Sequence, residues 1–235
     1  MKILVIEDKQ MHQESAQQTL VGHDVTIVSS YDEAVKLMNK NYYPSSASNF
    51  NFDAVLTDMN LPMSHQTLVP EAFSVDEQVP YGFVLALMAA NCGAKYVAMV
   101  TDTNHHKGAM SAALDNLSPT YYAWYHDSTY ESEKPKVFNV NGAKVVFVHT
   151  PFVKDYVKDQ PCTWCKENPG VCQFCKGTGV RTDLGNKEGQ PCNSCTRGTV
   201  GVCENCRGTL KYDMEVKVRK DWGQVLRDLT KEEKN

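Results

Sequence analysis

The sequence predicts an α/β domain built on a five-stranded, doubly wound parallel sheet, followed by a small cysteine-rich module. Within the first 160 residues, short apolar runs alternate with stretches of helical periodicity, a pattern typical of parallel strands joined by crossover helices. Eight of the nine cysteines then stand in four Cys-x-x-Cys pairs. A chain of 235 residues has room for one ordinary domain and one small module.

The predicted elements of the first domain follow one another in regular order. Continuous apolar runs of this kind are expected in strands that helices cover on both faces, and right-handed crossovers restrict the topology to a few arrangements. Strands are predicted at residues 2–6, 24–28, 53–58, 96–100 and 143–148. Helices are predicted up to about residue 20 and at residues 31–40, 83–92 and 109–117.

A last helix is predicted near the C-terminus. Apolar residues stand there at positions i, i+3, i+4 and i+7, which places them on one helical face, and Asp221 is a suitable N-cap. These residues are Trp222, Val225, Leu226 and Leu229. We expect the helix to pack back on the first domain, with a free interaction helix as the alternative. The predicted boundaries are therefore 1–160 for the domain, 161–212 for the inserted module and 213–235 for the returning segment.

The four cysteine pairs predict two metal sites. A two-residue gap lets both sulfurs of a pair reach one ion, and four pairs supply two tetrahedral all-cysteine zinc sites. Disulfides and a thiol redox device are the alternatives. The N-terminus shows no apolar signal peptide, so we expect a cytoplasmic protein, where a reducing environment favours metal over disulfides. The pairs are Cys162/Cys165, Cys172/Cys175, Cys192/Cys195 and Cys203/Cys206.

The module resembles the cysteine-rich domain of DnaJ-type co-chaperones. The segment Cys172-Gln-Phe-Cys175-Lys-Gly177-Thr-Gly179 is a complete Cys-x-x-Cys-x-Gly-x-Gly unit, and the other pairs keep part of that pattern. The resemblance implies two Zn²⁺, one shared by the first and fourth pairs and one by the second and third. A co-chaperone activity is not implied, because the chain lacks a helical hairpin with a His-Pro-Asp tripeptide. The ligand sets would be Cys162, Cys165, Cys203 and Cys206 on one ion, and Cys172, Cys175, Cys192 and Cys195 on the other.

Charge and hydropathy restrict the partners. The sequence contains no run of 18 apolar residues, so no membrane-spanning segment is expected. Residues 161–212 hold 7 Lys and Arg against 4 Asp and Glu. Eight thiolates around two Zn²⁺ would outweigh that excess, so nucleic-acid binding is not favoured.

The predicted strands place polar groups at one edge of the sheet. Glu7 and Asp8 follow the first strand, Asp58 ends the third and Thr101 follows the fourth. The carboxyl ends of parallel strands form the usual site of such sheets. Converging carboxylates repel one another unless a hard cation lies among them, and Mg²⁺ fits that chemistry. An aspartate can also accept a phosphoryl group.

This arrangement resembles the receiver domain of response regulators, over residues 1 to about 152. The matching segments are Ile6-Glu7-Asp8, the strand and loop Phe-Asp-Ala-Val-Leu-Thr-Asp-Met-Asn-Leu-Pro at 52–62, and Val100-Thr101. The resemblance implies a flavodoxin-like fold, Asp58 as phosphoacceptor, Mg²⁺ on Glu7, Asp8 and Asp58, and Thr101 as switch hydroxyl. It also implies a histidine kinase or phosphotransfer protein as partner, and a cis bond before Pro151.

This sequence departs from the receiver pattern at the end of strand five. Receivers carry a Lys-Pro pair there, whose lysine contacts the phosphoryl group, whereas this chain has Thr150-Pro151. Lys9 and Lys107 are candidate substitutes on neighbouring loops. The replacement favours a second hypothesis, a pseudo-receiver that acts as a phosphorylation-independent binding scaffold.

Two further features leave the function open. Asp102, His105 and His106 crowd the loop after strand four. They are candidates for a second set of metal ligands, a substitute for the missing lysine or a proton-transfer group, with capping and loop ordering as the structural alternative. A metal-dependent hydrolase that uses the acidic pocket with His105 and His106 is the third functional hypothesis. Long loops at 61–79 and 118–142 are typical of functional or mobile segments. The favoured expectation is a signalling protein whose zinc module binds a protein partner, with no catalysis beyond phosphoryl acceptance and autodephosphorylation.

Overall fold

The computed structural model divides the chain into two compact units, Met1–Val153 with Arg219–Asn235, and Lys154–Val218. It describes residues 1–38, 50–64, 66, 77–103, 109–114, 117, 135–162, 171–172, 174–180, 190–192, 202–203, 206–207, 209 and 211–231. The helices are α1 (Gln10–Thr19), α2 (Tyr31–Met38), α3 (Tyr81–Asn91), α4 (Ala109–Leu114) and α5 (Trp222–Thr230). The strands are β1 (Lys2–Ile6), β2 (Asp24–Val28), β3 (Ala54–Asp58), β4 (Leu61–Pro62), β5 (Gln78–Val79), β6 (Tyr96–Thr101), β7 (Val137–Val140), β8 (Ala143–His149), β9 (Phe152–Pro161) and β10 (Lys211–Lys220).

The first unit is an α/β domain around a six-stranded, mostly parallel sheet. The strand order is β2-β1-β3-β6-β8-β7. Its five parallel strands follow the 2-1-3-4-5 order of one common doubly wound arrangement, in which the site lies beyond the carboxyl ends of the strands. The prediction of an α/β sheet is confirmed at that level.

The main sheet has six strands, so the prediction of five strands in that sheet is wrong by one. β7 lies in the segment 118–142, which was predicted to be a long loop, and pairs antiparallel with β8 at the edge of the sheet. The turn between them is Asn141-Gly142, and both residues have positive φ, 50° and 83°. An Asn-Gly pair of this kind matches the twist of a two-residue hairpin, so the turn chemistry specifies the extra strand.

Two apolar cores cover the two faces of the main sheet. On one face, helices α2, α3 and α4 pack on alternate strand residues such as Leu4, Val55 and Val97. On the other face, α1 and α5 pack on the intervening residues such as Ile3 and Leu56. Both faces of every central strand are therefore buried, which explains the continuous apolar runs of the sequence.

Helix α5 packs on the sheet through its apolar stripe. Trp222, Val225, Leu226 and Leu229 are all buried in the core that α1 also lines. The carboxylate of Asp221 caps the helix by accepting the backbone N–H of Gln224 at 2.8 Å. Gly223 permits close contact with α1, since a Cβ there would collide with the carbonyl oxygen of Thr19.

The second unit begins and ends outside the predicted limits of 161–212. It runs over Lys154–Val218, because β9 and β10 form a two-stranded sheet on either side of the cysteine-rich segment. No helix or strand was predicted for residues 152–160, which lie in β9. No helix in the described part of the chain is long and apolar enough to cross a membrane.

The peptide bond between Thr150 and Pro151 is trans, so the expectation of a cis bond is wrong. In this chain the segment after Pro151 continues directly into β9 as extended backbone. The trans form is the lower-energy isomer of such a bond, by about 0.5–1 kcal/mol.

Candidate functional site

The candidate site lies at the carboxyl edge of the main sheet. Glu7 and Asp8 directly follow β1, Asp58 is the last residue of the neighbouring β3, and Thr101 is the last residue of β6. Because β1 and β3 are adjacent and parallel, their ends bring the carboxylates together. Glu7, Asp8 and Asp58 each offer an oxygen within 4.8 Å of the other two. Glu7, Asp58 and Thr101 are buried.

A lysine that the sequence analysis did not single out lies in this pocket. The Nζ of Lys220 is 2.6 Å from Glu7 Oε2 and 2.7 Å from Asp58 Oδ1, and its side chain is 0% exposed. Lys9, offered as a substitute cation, instead pairs with Asp102 at 2.9 Å and is half-exposed. Lys107, the other candidate, lies outside the described residues.

Lys220 was missed because it is 213 positions from Glu7 in the chain. It ends β10, directly before the N-cap Asp221 of α5. The backbone N–H of Asp221 donates to the carbonyl of Pro151 at 2.8 Å, so the returning chain meets the end of β8. Lys220 directly precedes the predicted terminal helix, eight residues past the predicted end of the module at residue 212, and no spacing pattern marks it.

Burial and charge act in opposite directions on the carboxylates. Burial raises the pKa of Glu7 to about 7, although the ammonium of Lys220 acts against it. Burial likewise raises the pKa of Asp58, again opposed by Lys220. For Lys220, burial lowers the pKa, but Asp58, Glu7 and Asp102 outweigh it and raise the pKa above the usual value. The lysine is therefore an ammonium ion at neutral pH.

The acidic cluster has the donor set of a divalent-cation site. Three carboxylates with one ammonium leave an excess of negative charge that a divalent cation would offset. The buried Oδ1 of Asp8 has no hydrogen-bond partner among the described residues, which leaves that oxygen for a cation to contact. Oxygen ligands of this kind suit a hard ion such as Mg²⁺. The residues present therefore fit the ion that the sequence analysis expected.

A second charged group adjoins the pocket. Asp102, just after β6, accepts from Lys9 Nζ and contacts His12 Nε2 at 3.1 Å. Burial opposes its ionisation, but the hydrogen bond with His12 and the charges of Lys220 and Lys9 lower its pKa well below the usual range. Asp102 is therefore ionised and already paired with Lys9 and His12. His105 and His106, predicted beside it, lie outside the described residues.

The cysteines of the second unit form two buried clusters. Three thiols in each cluster offer sulfurs within 4.8 Å of one another. The clusters are Cys162, Cys203 and Cys206, and Cys172, Cys175 and Cys192. The fourth predicted member of each set, Cys165 or Cys195, lies outside the described residues.

The sulfur separations fit tetrahedral metal sites. The Sγ atoms of Cys162 and Cys203 are 3.8 Å apart, as are those of Cys172 and Cys192. Four sulfurs at about 2.3 Å from a central ion would be separated by about 3.8 Å. None of the described cysteines forms a disulfide. Each cluster could therefore hold a metal ion.

Two of the Cys-x-x-Cys pairs share the same backbone turn. After the second cysteine, Lys176 and Arg207 both have φ of 47°, and each donates its N–H to the first cysteine's carbonyl, at 2.8 and 2.7 Å. Thr178 and Thr209 then donate through Oγ1 to the carbonyl of the second cysteine. These bonds satisfy the carbonyls of a tight turn that presents both sulfurs on one side.

The structure thus brings together the predicted carboxylates and three of the four cysteines in each predicted set. Comparisons with family models, curated proteins and solved structures find no match for this chain. Its function must therefore be inferred from the geometry of these two sites.

Proposed function

We propose that this chain is a response-regulator-like signalling protein in which Asp58 accepts a phosphoryl group. The observation that supports the proposal is the contact of Lys220 Nζ with Asp58 Oδ1 at 2.7 Å, inside a cluster of carboxylates. Receivers carry a lysine at this place, at the end of strand five, where this chain has Thr150. Lys220 supplies the cation from beyond the inserted unit.

The proposed reaction is a phosphoryl transfer from a phosphohistidine of a histidine kinase or phosphotransfer protein. A carboxylate oxygen of Asp58 forms the new bond to phosphorus, and the bond from phosphorus to the histidine nitrogen breaks. The departing imidazole keeps the bonding electrons and takes its proton from solvent. Mg²⁺ held by Glu7, Asp8 and Asp58 would neutralise charge on the transferred group.

Lys220 has two roles in this scheme. Without a phosphoryl group, its ammonium holds Glu7 and Asp58 together in a buried place. When Asp58 is phosphorylated, the same ammonium is within reach of the new oxygens and offsets part of the added charge. Thr101, the last residue of β6, is fully buried and would report the phosphoryl group as the switch hydroxyl.

The cysteine unit is the proposed output, a zinc module that binds a protein partner. Its two clusters would hold two Zn²⁺, with Cys165 and Cys195 as the fourth ligands. The first unit is made of two chain segments, and the cysteine unit is the stretch between them, ending two residues before Lys220. The chain connection at Val218 is therefore two residues from Lys220, which offers a route for a signal along the backbone.

The deciding experiment is incubation with acetyl phosphate and Mg²⁺, followed by intact mass measurement. We expect one phosphoryl adduct in the wild-type chain and none in Asp58→Asn. As a matched control, Asp53→Asn changes an aspartate of the same segment, outside the pocket, and should keep the adduct. Mg²⁺ binding without any adduct from acetyl phosphate, phosphoramidate or a phosphohistidine donor would instead favour the phosphorylation-independent scaffold.

A further inference from the structure

The main chain of Lys220 is held by two side chains of helix α1. We infer that His12 and Ser15 are positioning residues that set the place of the Lys220 ammonium in the carboxylate pocket. This inference rests on the proposed function, because it concerns the cation that phosphoryl transfer to Asp58 requires.

The two contacts engage both polar groups of one peptide residue. The backbone N–H of Lys220 donates to His12 Nδ1 at 3.2 Å, and Ser15 Oγ donates to the Lys220 carbonyl at 2.7 Å. His12 and Ser15 are 1% and 0% exposed. They stand three positions apart in α1 and so lie on one face of the helix.

The imidazole of His12 is itself held in one orientation. Since Nδ1 accepts the Lys220 N–H, it carries no proton, and the ring proton is on Nε2. Nε2 then donates to Asp102 Oδ2 at 3.1 Å, while Lys9 donates to the same carboxylate. The indole Nε1–H of Trp222 adds a bond to the His12 carbonyl at 3.0 Å. Both the ring and the helix turn that carries it are thereby fixed.

The chain connectivity explains why such contacts are needed. Lys220 is not a residue of the main sheet, whose hydrogen bonds would otherwise fix its position; it ends β10, a strand of the separate two-stranded sheet. Its backbone is nevertheless buried, where unpaired polar groups are costly. Side chains of α1 provide the pairing that a neighbouring sheet strand would supply. Any shift of His12 or Ser15 should therefore move the Lys220 ammonium relative to Glu7 and Asp58.

Two histidine variants separate positioning from general packing. In His12→Asn, the amide oxygen can occupy the position of Nδ1 and still accept the Lys220 N–H. In His12→Gln, the longer side chain reaches toward Asp102 but offers no acceptor at that position. We expect His12→Gln and Ser15→Ala to lower the rate of Asp58 phosphorylation by acetyl phosphate by about fivefold to tenfold, the effect of one lost hydrogen bond. His12→Asn should stay within about twofold of wild type.

The second measurement is hydrogen exchange of the Lys220 backbone amide in the full-length, metal-loaded protein. Exchange should speed up in His12→Gln and remain slow in His12→Asn. The inference would be overturned if all variants had the same phosphorylation rate and the same exchange of the Lys220 amide. It would also be overturned if His12→Asn and His12→Gln lowered the phosphorylation rate equally. If the wild-type chain takes no phosphoryl group, the proposed function fails. In that case, exchange of the Lys220 amide and the Mg²⁺ affinity of the same variants still test whether His12 and Ser15 position Lys220.

Discussion

Lys220 carries its charge in a place without solvent access, where an isolated ammonium would lose its proton. It stays charged because Glu7 and Asp58 lie within hydrogen-bonding distance, and each of these carboxylates depends on it in turn. Removing one partner from such a group leaves an uncompensated buried charge, which costs more than the pair contributes. The pocket is therefore sensitive to single charge changes.

Replacing Lys220 by Met keeps the length of the side chain and removes its charge. We expect Lys220→Met to lower the free energy of unfolding of the metal-free protein by about 3 kcal/mol, because Glu7 and Asp58 become unpaired. Lys9→Met is the matched control and should cost under about 1 kcal/mol, since the side chain of Lys9 is half-exposed in its pair with Asp102. Urea unfolding at pH 7 measures both, and equal losses would contradict the buried ion pair.

The raised pKa of Glu7 predicts a pH dependence of the metal-free protein. A carboxyl group whose pKa is about 7 in the folded state, against 4.5 unfolded, binds protons more tightly when folded. Its contribution to stability is complete below about pH 4.5 and declines as the pH rises to about 7. Glu7→Gln should flatten that decline in urea unfolding measured from pH 4.5 to 7.5. A decline of the same size in the variant would show that other groups cause it.

At the scale of elements, α5 completes the core on one face of the main sheet. Its four apolar residues are buried with α1, although more than half of the chain separates the two helices. The amphipathic stripe and the N-cap were legible in the sequence, because both depend on local spacing. The hairpin of β7 and β8 also has a local signal, Asn141-Gly142, because this dipeptide favours a two-residue turn.

A single truncation in α5 tests its place in the core. Leu226 is 4% exposed, and Leu226→Ala should lower the free energy of unfolding of the first unit by about 2–4 kcal/mol through lost burial and a residual cavity. Leu87→Ala changes the same residue type on α3, where the side chain is 53% exposed, and should cost under about 1 kcal/mol. A free terminal helix would instead make Leu226→Ala as mild as the control.

At the scale of the whole molecule, the described residues of the two units differ in their apolar burial. The first unit has two apolar cores, whereas the buried hydrophobic side chains described in the second are its cysteines and their few neighbours. Because few apolar side chains are buried among the described residues of the cysteine-rich segment, we expect bound metal to be a source of its stability.

Zinc content should reveal both the number of sites and their ligand sets. We expect two Zn²⁺ per chain by elemental analysis, and a loss of one in Cys162→Ser/Cys203→Ser, because both cysteines serve one cluster. Cys162→Ser/Cys172→Ser should lose both ions. Cys92→Ser is the control and should keep both, since Cys92 bonds to the carbonyl of Met38 in the first unit. Equal zinc loss in the two double variants would contradict the assigned clusters.

Chelation should separate the stabilities of the two units. Removing zinc should unfold the segment of the second unit that carries the cysteines, while the amide protons of β1, β3 and β6 stay protected from exchange. Protection of that segment without metal would show that its order has another source.

The sequence by itself determined the features that depend on neighbours along the chain. Apolar runs predicted the strands, Cys-x-x-Cys spacing predicted thiol clusters, and residues at strand ends predicted the carboxylates of the pocket. Only the tertiary structure decided which cation completes that pocket. Lys220 has no local signature, and its position follows from a fold that returns the chain past α1 after an intervening unit. Long-range electrostatic pairing of this kind depends on distance in space, which residue spacing does not encode.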